Sequence, residues 1–268
     1  MFRCCVSELR KRMKNPAFWI GILLVTVLCM TTNAYSDMIH GKNYTVFETI
    51  TILPTEIRRM QISAFSVFTQ GLSNIYASLF LPFAVSIGFV PLLCMERRSG
   101  ALRYQIVRES RWRYCISKMI SASFCGGLTV LLGFLLYGSI VWCLFSHEIP
   151  EEISFMIGDP SVRLFQVCVG SFLIGALSVF PALLFCSFSE RQYPIMCVPV
   201  LIQFLLNTAV SKAPNQSTAE FLTYLSPSGA AALIYNFSFV RLAVVLLIPI
   251  LCCTGFCFSV RKKVDCGA

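Results

Sequence analysis

Charged side chains are scarce in this sequence. Only 13% of its 268 residues are Asp, Glu, Lys or Arg, whereas soluble proteins carry about a quarter. Hydrophobic residues make up 56%, the mean hydropathy is +0.73, and the apolar residues stand in long runs that contain no charge. These runs are neither alternating nor amphipathic, so the sequence predicts that lipid surrounds much of the chain.

The motifs of metal sites and hydrolytic enzymes are also missing. The two histidines, His40 and His147, are far apart, and the sequence contains no His-Glu-x-x-His, no paired intramembrane Asp and no nucleophile elbow. It contains no Gly-x-x-x-x-Gly-Lys-Ser/Thr phosphate loop either, so the chain cannot bind ATP by that route. We expect no enzymatic activity and no cofactor or metal bound by this chain.

Cysteine, by contrast, is abundant, with 14 residues. Ten lie in apolar runs, four lie in or beside basic segments, and the polar, non-basic loops contain none. This distribution is typical of reduced thiols that act as small hydrophobic side chains. A metal site at Cys252, Cys253 and Cys257 is disfavoured because no nearby His or paired Cys completes it.

Six apolar runs are long enough to cross roughly 30 Å of hydrocarbon at about 1.5 Å per residue. The sequence therefore predicts an all-α integral membrane protein with six transmembrane helices and a single membrane domain over residues 1–268. The predicted spans are residues 17–33, 77–95, 119–146, 164–188, 193–211 and 239–260.

The basic residues predict the orientation of these spans. Of the 22 Lys and Arg, 16 lie in the N-terminal flank, residues 96–118, residues 189–192 and the C-terminal tail, and 6 lie on the other side. This asymmetry predicts that both termini and the loop at 96–118 are cytoplasmic. An even number of spans independently requires both ends on one side. No basic stripe with interleaved exposed aromatics is present, so we expect no nucleic-acid partner.

The first 14 residues have a helical pattern. Phe2, Val6, Leu9 and Met13 align on one face of a helix, and Arg3, Arg10, Lys11, Arg12 and Lys14 occupy the other faces. This pattern predicts an amphipathic helix in the interface, with its cations toward anionic headgroups. The alternative is a positively charged flank without that role. Asn15-Pro16 then reads as the cap and first residue of the next helix.

Residues 212–238, predicted to lie outside, contain two short apolar pieces on either side of Ser226-Pro227-Ser228-Gly229. Neither piece is long enough to span. A re-entrant helical hairpin would accommodate them if its turn were buried in protein. An ordinary loop with apolar packing explains the pattern nearly as well.

The loop at residues 96–118 carries seven Lys and Arg. Gly100 is suited to end the preceding helix, residues 101–107 can form a short helix, and Ser110 can cap the helix that enters the third span. A short helix held between two spans can transmit a push from a partner. The alternative is an ordinary positively charged loop.

Coupled carriers usually need a titrating side chain or an ion site near the middle of the membrane. Within the predicted spans the one full charge is Arg241, close to an end, and the best polar candidates, Gln203 and Asn207, do not titrate. A secondary carrier is therefore disfavoured, although a carrier or channel stays the main alternative and a membrane enzyme or sensor the next.

Three short motifs carry a resemblance to a known family. The second span ends in Glu96-x-x-x-Gly100-x-Leu102, and Ser110-Arg111 and Lys118 open the third. The start, from Glu8-Leu9-Arg10-Lys11 to Asn15-Pro16, is similar to an interfacial "elbow" helix, and Leu225-Ser226-Pro227 to a re-entrant outer segment. In this layout the chain resembles the type-two permeases of ATP-binding cassette (ABC) transporters. It departs from their commonest pattern in having Ala101 where a Thr frequently sits.

The resemblance implies a homo- or heterodimer of six-span subunits in the cell membrane, typically the bacterial cytoplasmic membrane, driven by a separate cytoplasmic ATPase that binds ATP and Mg²⁺. It implies outward movement of a drug, a lipid or an antimicrobial peptide, and it specifies no substrate-binding residue. The elbow and the basic loop would form the docking surface. We expect coupling to involve Glu96, Gly100, Leu102, Arg103, Arg108, Ser110, Arg111 and Lys118.

Overall fold

Helices make up most of the described chain, together with one short pair of strands. The structure is a computed structural model that describes residues 2–37, 42–55, 62–72, 74–100, 104, 111–145, 159–189, 191–227, 229 and 239–265. In chain order the elements are α1 (Phe2–Met13), α2 (Pro16–Cys29), β1 (Asn33–Asp37), β2 (Lys42–Thr45), α3 (Val46–Ile52), α4 (Ala64–Gln70), α5 (Ile75–Ile87), α6 (Val90–Arg98), α7 (Arg111–Leu144), α8 (Pro160–Cys186), α9 (Gln192–Ser211), α10 (Gln216–Leu225) and α11 (Phe239–Asp265).

Within the described residues, five helical segments are long and apolar enough to cross a membrane, which agrees with the predicted all-α membrane fold. A sixth candidate is the pair of α1 and α2, which meet at an angle of 68°. The predicted count of six is reached only if this pair is one span. The five segments are Tyr76–Arg98, Trp112–Leu144, Pro160–Cys186, Gln192–Ser211 and Leu242–Val260.

The helices that would cross the membrane turn many large apolar side chains outward. Trp19 and Leu23 on α2 are 57% and 61% exposed, and Leu205 on α9 is 65% exposed. Apolar surface of this kind is unfavourable in water and favourable in lipid. The outward faces therefore fit a protein whose solvent is the bilayer.

The junction between α1 and α2 follows the prediction. Asn15 accepts a hydrogen bond from the Ala17 N–H at 3.3 Å, and Pro16 is the first residue of α2. A proline fits there because the first N–H of a helix has no helical acceptor. The prediction of a span over residues 17–33 was too long, since the 14-residue α2 ends at Cys29 and Asn33 begins a strand.

The second span is interrupted, whereas the sequence predicted one helix over residues 77–95. α5 ends at Ile87, and α6 begins at Val90 with Pro91 in its first turn. Pro91 has no N–H to donate, and its ring would clash with the Ile87 carbonyl in a continuous helix. α6 also runs on to Arg98, so Glu96 lies in a helix and not in a loop.

The longest helix, the 34-residue α7, packs against α1, α2, α4 and α8. It approaches α8 closely where two glycines meet. A Cβ atom added to Gly175 would lie 2.4 Å from the Gly126 carbonyl oxygen, closer than any real Cβ comes to backbone. Small residues in these two spans thus allow the helices to approach closely.

A hairpin of two strands follows α2 and was not predicted. β1 and β2 pair antiparallel, with the Tyr35 and Tyr44 rings stacked 6.2 Å apart. Thr45 then caps α3, because its hydroxyl accepts from the Glu48 N–H and the Glu48 carboxylate accepts from the Thr45 N–H. The Thr-x-x-Glu spacing of this capping box was a readable signal in the sequence.

The segment at residues 212–238 contains α10, and its turn reaches into the bundle. Ser226 and Pro227 border a small cavity of about 30 Å³ together with prolines from four spans. We call this the proline cavity; its prolines are Pro82, Pro181, Pro199, Pro227 and Pro249. The second apolar piece, residues 230–235, lies outside the described residues, so the re-entrant hairpin stays a prediction.

Candidate functional site: a buried charge cluster

Three helices bring four charged side chains into direct contact at one end of the bundle. The Lys118 ammonium on α7 lies 2.6 Å from a Glu8 carboxylate oxygen on α1 and 2.6 Å from a Glu96 oxygen on α6. The Lys11 ammonium on α1 lies 2.7 Å from the other Glu96 oxygen. We call Glu8, Lys11, Glu96 and Lys118 the charge cluster, and this end of the bundle the charged end.

The two central members of the cluster, Lys118 and Glu96, are buried and therefore need partners of opposite charge. The Lys118 and Glu96 side chains are 2% and 9% exposed, and Glu8 is 15% exposed. An unpaired charge at such a depth is strongly unfavourable. Each central group has two partners of opposite sign. The cluster has two carboxylates and two ammonium groups, so its formal charge is zero. Lys11 differs, since half of its side chain reaches solvent.

The sequence places the α1 members on one face of that helix. Glu8 and Lys11 are three residues apart, which puts them side by side on a helix surface. Cys5, three residues before Glu8, donates from its thiol to the Ser117 hydroxyl at 3.4 Å. This face of α1 therefore contacts α7 through Cys5 and Glu8, and α6 through Lys11. The hydrogen bond to Glu96 raises the pKa of Lys11 above its usual value, so the ammonium is charged at neutral pH.

α1 is helical as predicted, and the members of its predicted apolar face differ in their surroundings. Leu9 packs on the interior, whereas Val6 and Met13 are exposed; the Phe2 side chain lies outside the described residues. Arg12 is buried, with its guanidinium carbon 5.9 Å from the centre of the Phe89 ring. The prediction that the cations of α1 point to headgroups is therefore wrong for Arg12, whose charge is instead placed over an aromatic face.

A second contact ties the end of α6 to the end of α8. Arg97 donates to the carbonyl oxygens of Cys186 and, at 2.9 Å, of Ser189. The last carbonyls of a helix lack helical donors, so a guanidinium satisfies them well. The sequence alone indicates only that Arg97 belongs to a basic segment. Its structural partner is a fourth helix, so the charged end joins α1, α6, α7 and α8.

The structure also describes the start of the connection between α6 and α7. Gly100 adopts φ +72°, and its N–H donates to the Arg97 carbonyl at 3.2 Å. A residue in this left-handed conformation commonly ends a helix, and glycine adopts it without strain. The prediction that Gly100 ends the helix is confirmed. α7 begins at Arg111, which agrees with the predicted start of this helix after Ser110. Because α6 runs on to Arg98, residues 99–110 lie between the two helices.

The other predicted coupling residues have mixed outcomes. The structure brings Glu96 and Lys118 together, although they lie 22 residues apart in sequence. Arg111 is the first residue of α7, and only its backbone is described. Four further residues lie outside the described residues, and so does the predicted short helix at 101–107 apart from Tyr104. They are Leu102, Arg103, Arg108 and Ser110.

The charge cluster has no chemistry of its own beyond electrostatics and hydrogen bonding. It holds no nucleophile beside a base, and no group of three or more His, Cys, Asp or Glu in the described part of the chain could hold a metal ion. Its effect is mechanical. Because Lys118 bonds to both α1 and α6, a displacement of either helix must move α7 or break a buried ion pair.

Comparisons of this chain with protein-family models, with curated proteins and with solved structures found no match.

Proposed function

We propose that this chain is the membrane-spanning permease subunit of an ATP-driven exporter and that a separate cytoplasmic ATPase drives it. The ATPase would dock at the charged end, on α1 and on the connection at residues 99–110. ATP and Mg²⁺ would be bound by that partner, because this chain has no phosphate loop. The permease would act in a multi-pass arrangement in the cell membrane, typically the bacterial cytoplasmic membrane, with both termini cytoplasmic.

The charge cluster is the observation that carries this proposal. The connection at residues 99–110 lies between α6 and α7, and Glu96 and Lys118 on those two helices are joined to each other and to α1. Force applied to α1 or to the connection would therefore reach two spans through buried ion pairs. A loop that served only to orient the protein would need positive charge but no such links.

The transported molecule would leave between this chain and a second permease subunit, identical or related. Small exporters of the type that the sequence resembles move drugs, lipids or antimicrobial peptides outward. The exposed apolar face of α9, with Leu201, Phe204 and Leu205, is available to lipid or to such a subunit.

A secondary carrier or channel is the second candidate, and two observations favour it. The second span is interrupted at Gly88 and Phe89, and broken helices often form ion sites in carriers. Gln203 is buried beside the proline cavity and donates to Asn207 at 3.3 Å. Neither side chain titrates, which makes proton coupling through this pair unfavourable.

Photo-crosslinking of the full chain in its native membrane tests the docking site. A benzophenone amino acid would replace Tyr104, an 81% exposed residue of the connection, and in a matched control it would replace Phe204, an exposed residue of α9. We expect the position 104 adduct to contain a protein with a phosphate-loop ATPase sequence, and the position 204 adduct to lack it. Absence of an ATPase from both adducts, together with gradient-driven uptake by liposomes that hold the purified chain alone, would establish the carrier instead.

A further inference from the structure

A wide groove lies between the first turns of α7 and the last turns of α11. Its volume is about 640 Å³, within the range of roughly 300–1,000 Å³ that is typical of sites for small molecules. The side chains that form it are mainly apolar, among them Trp112, Ile116 and Met119 on α7 and Phe258 and Val260 on α11. Met119 follows Lys118 directly in sequence, so the groove and the charge cluster lie at a similar level along α7.

The lining gives little basis for recognising a polar ligand. The groove includes one hydroxyl, on Thr254, which donates to the Leu251 carbonyl of its own helix at 3.0 Å. No carboxylate, amide or ammonium is among the lining residues. An occupant must therefore be held by apolar contact, at roughly 25 cal/mol for each Å² removed from water or headgroups. An acyl chain meets this requirement in a helix bundle surrounded by lipid.

The groove ends where basic residues collect. Trp112 is 69% exposed at its mouth, and Arg113 beside it is exposed. α11 continues directly from Val260 into Arg261-Lys262-Lys263. Tryptophan and basic residues at the end of a span are typical of the headgroup region. The exposed charge of Arg113 is complementary to an anionic headgroup and not to a zwitterionic one.

We infer that this groove binds one anionic phospholipid, with an acyl chain between α7 and α11 and the headgroup beside Arg113. The lipid would fill the space between these two helices. The inference requires the membrane fold but not the proposed export function, so either can fail without the other.

Quenching of tryptophan fluorescence by brominated lipid tests the site. The full chain has three tryptophans, so the double substitution Trp19→Phe and Trp142→Phe leaves Trp112 as the reporter. In liposomes of phosphatidylcholine, we would titrate phosphatidylglycerol with brominated acyl chains against phosphatidylcholine with the same chains. A basic residue near the surface favours an anionic lipid by about fivefold, so we expect at least that preference in the quenching of Trp112.

Three substitutions in the reporter background complete the test. Arg113→Gln should lower the preference, whereas Lys14→Gln, at another exposed basic residue of the charged end, should leave it unchanged. Cys257→Phe, which fills the groove, should reduce quenching by both lipids. Equal quenching by the two brominated lipids without these substitutions would mean ordinary surrounding lipid, and absence of quenching by both would mean that protein covers the groove. Either result overturns the inference.

Discussion

The charged end and the proline cavity differ in how they hold their helices. At the charged end, three ion pairs of 2.6–2.7 Å join α1, α6 and α7, and Arg97 adds the end of α8. At the proline cavity, five prolines face a space of about 30 Å³, and each proline within a helix removes one backbone hydrogen bond. The first region is fixed by strong directional contacts; the second has fewer of them than a regular bundle.

This difference gives the two regions different parts in the proposed function. A region that is held by buried ion pairs moves as one body, because separating one pair exposes an uncompensated charge. A region with proline in four spans changes helix angle at lower cost. A force applied at the charged end would therefore be transmitted to the spans, and the bundle would bend at the level of the prolines.

Removal of the central cation should have the largest effect on stability. Lys118→Met leaves Glu8 without its partner in the cluster and Glu96 with Lys11 alone. Because breaking a buried pair typically costs about 3–5 kcal/mol, we expect a clear fall in the midpoint of thermal unfolding in detergent. Arg113→Gln, at an exposed basic residue on the same helix, is the control and should change little. Equal effects of the two substitutions would show that the charged end is not held by its ion pairs.

Addition of one methyl group at the α7–α8 contact should have the next largest effect on stability. In Gly175→Ala the new Cβ meets the Gly126 carbonyl, which is backbone and cannot move aside. Overpacking of this kind costs about 1–3 kcal/mol, which thermal unfolding would measure. In the control, Gly255→Ala, the Cβ meets the flexible end of Leu184 at 2.7 Å, so the loss should be smaller. A larger loss for Gly255→Ala would contradict the close contact of α7 with α8.

Restoring a backbone hydrogen bond at the proline cavity should raise the stability of the protein. Pro249 lies inside α11, so the Val245 carbonyl, four residues earlier, has no helical donor. In Pro249→Ala an N–H returns, and we expect a gain of about 1 kcal/mol in the free energy of unfolding from the restored hydrogen bond. Ile250→Ala, on the exposed side of the same helix, controls for loss of apolar surface. A loss as large as that of Lys118→Met would remove the distinction between the two regions.

Substitution of the exposed member of the charge cluster should have the smallest effect on stability. Lys11 is half exposed, and solvent-exposed pairs are worth about 0.2–1 kcal/mol. We therefore expect Lys11→Gln to lower the thermal midpoint slightly more than Lys14→Gln, an exposed lysine of the same segment. Measured in the same detergent, Lys11→Gln and Lys118→Met compare the loss of stability at the exposed and the buried member of the cluster. If Lys11→Gln matched Lys118→Met, burial would not be what sets the strength of these pairs.

The features that the sequence predicted correctly are local ones. Long apolar runs identified the helices that could span, because lipid requires about 20 consecutive apolar residues. Asn15-Pro16 marked the start of α2, and Gly100 marked the end of α6, since each residue suits one particular backbone geometry. The break at Gly88 and Phe89 had a signal in Pro91 that a hydropathy reading overlooks.

The features that the sequence did not reveal depend on contacts between distant residues. Lys11 meets Glu96, and Glu8 meets Lys118, across 85 and 110 residues. A lysine at the end of a span has the same appearance in sequence whether it faces headgroups or a buried carboxylate. Arg12 illustrates this, because its neighbours in the chain are exposed and it is buried against Phe89.

The most direct test of the account is the ATP hydrolysis rate of the partner ATPase with the full chain in liposomes. We predict that the unmodified chain and Arg113→Gln change this rate relative to the ATPase alone, and that Glu8→Gln combined with Lys118→Met abolishes the change while the ATPase still binds. This pair of substitutions removes one charge of each sign, so the sum of charges in the cluster is unchanged. An unaltered effect of the double variant on hydrolysis would contradict the claim that the charge cluster couples the partner to the spans.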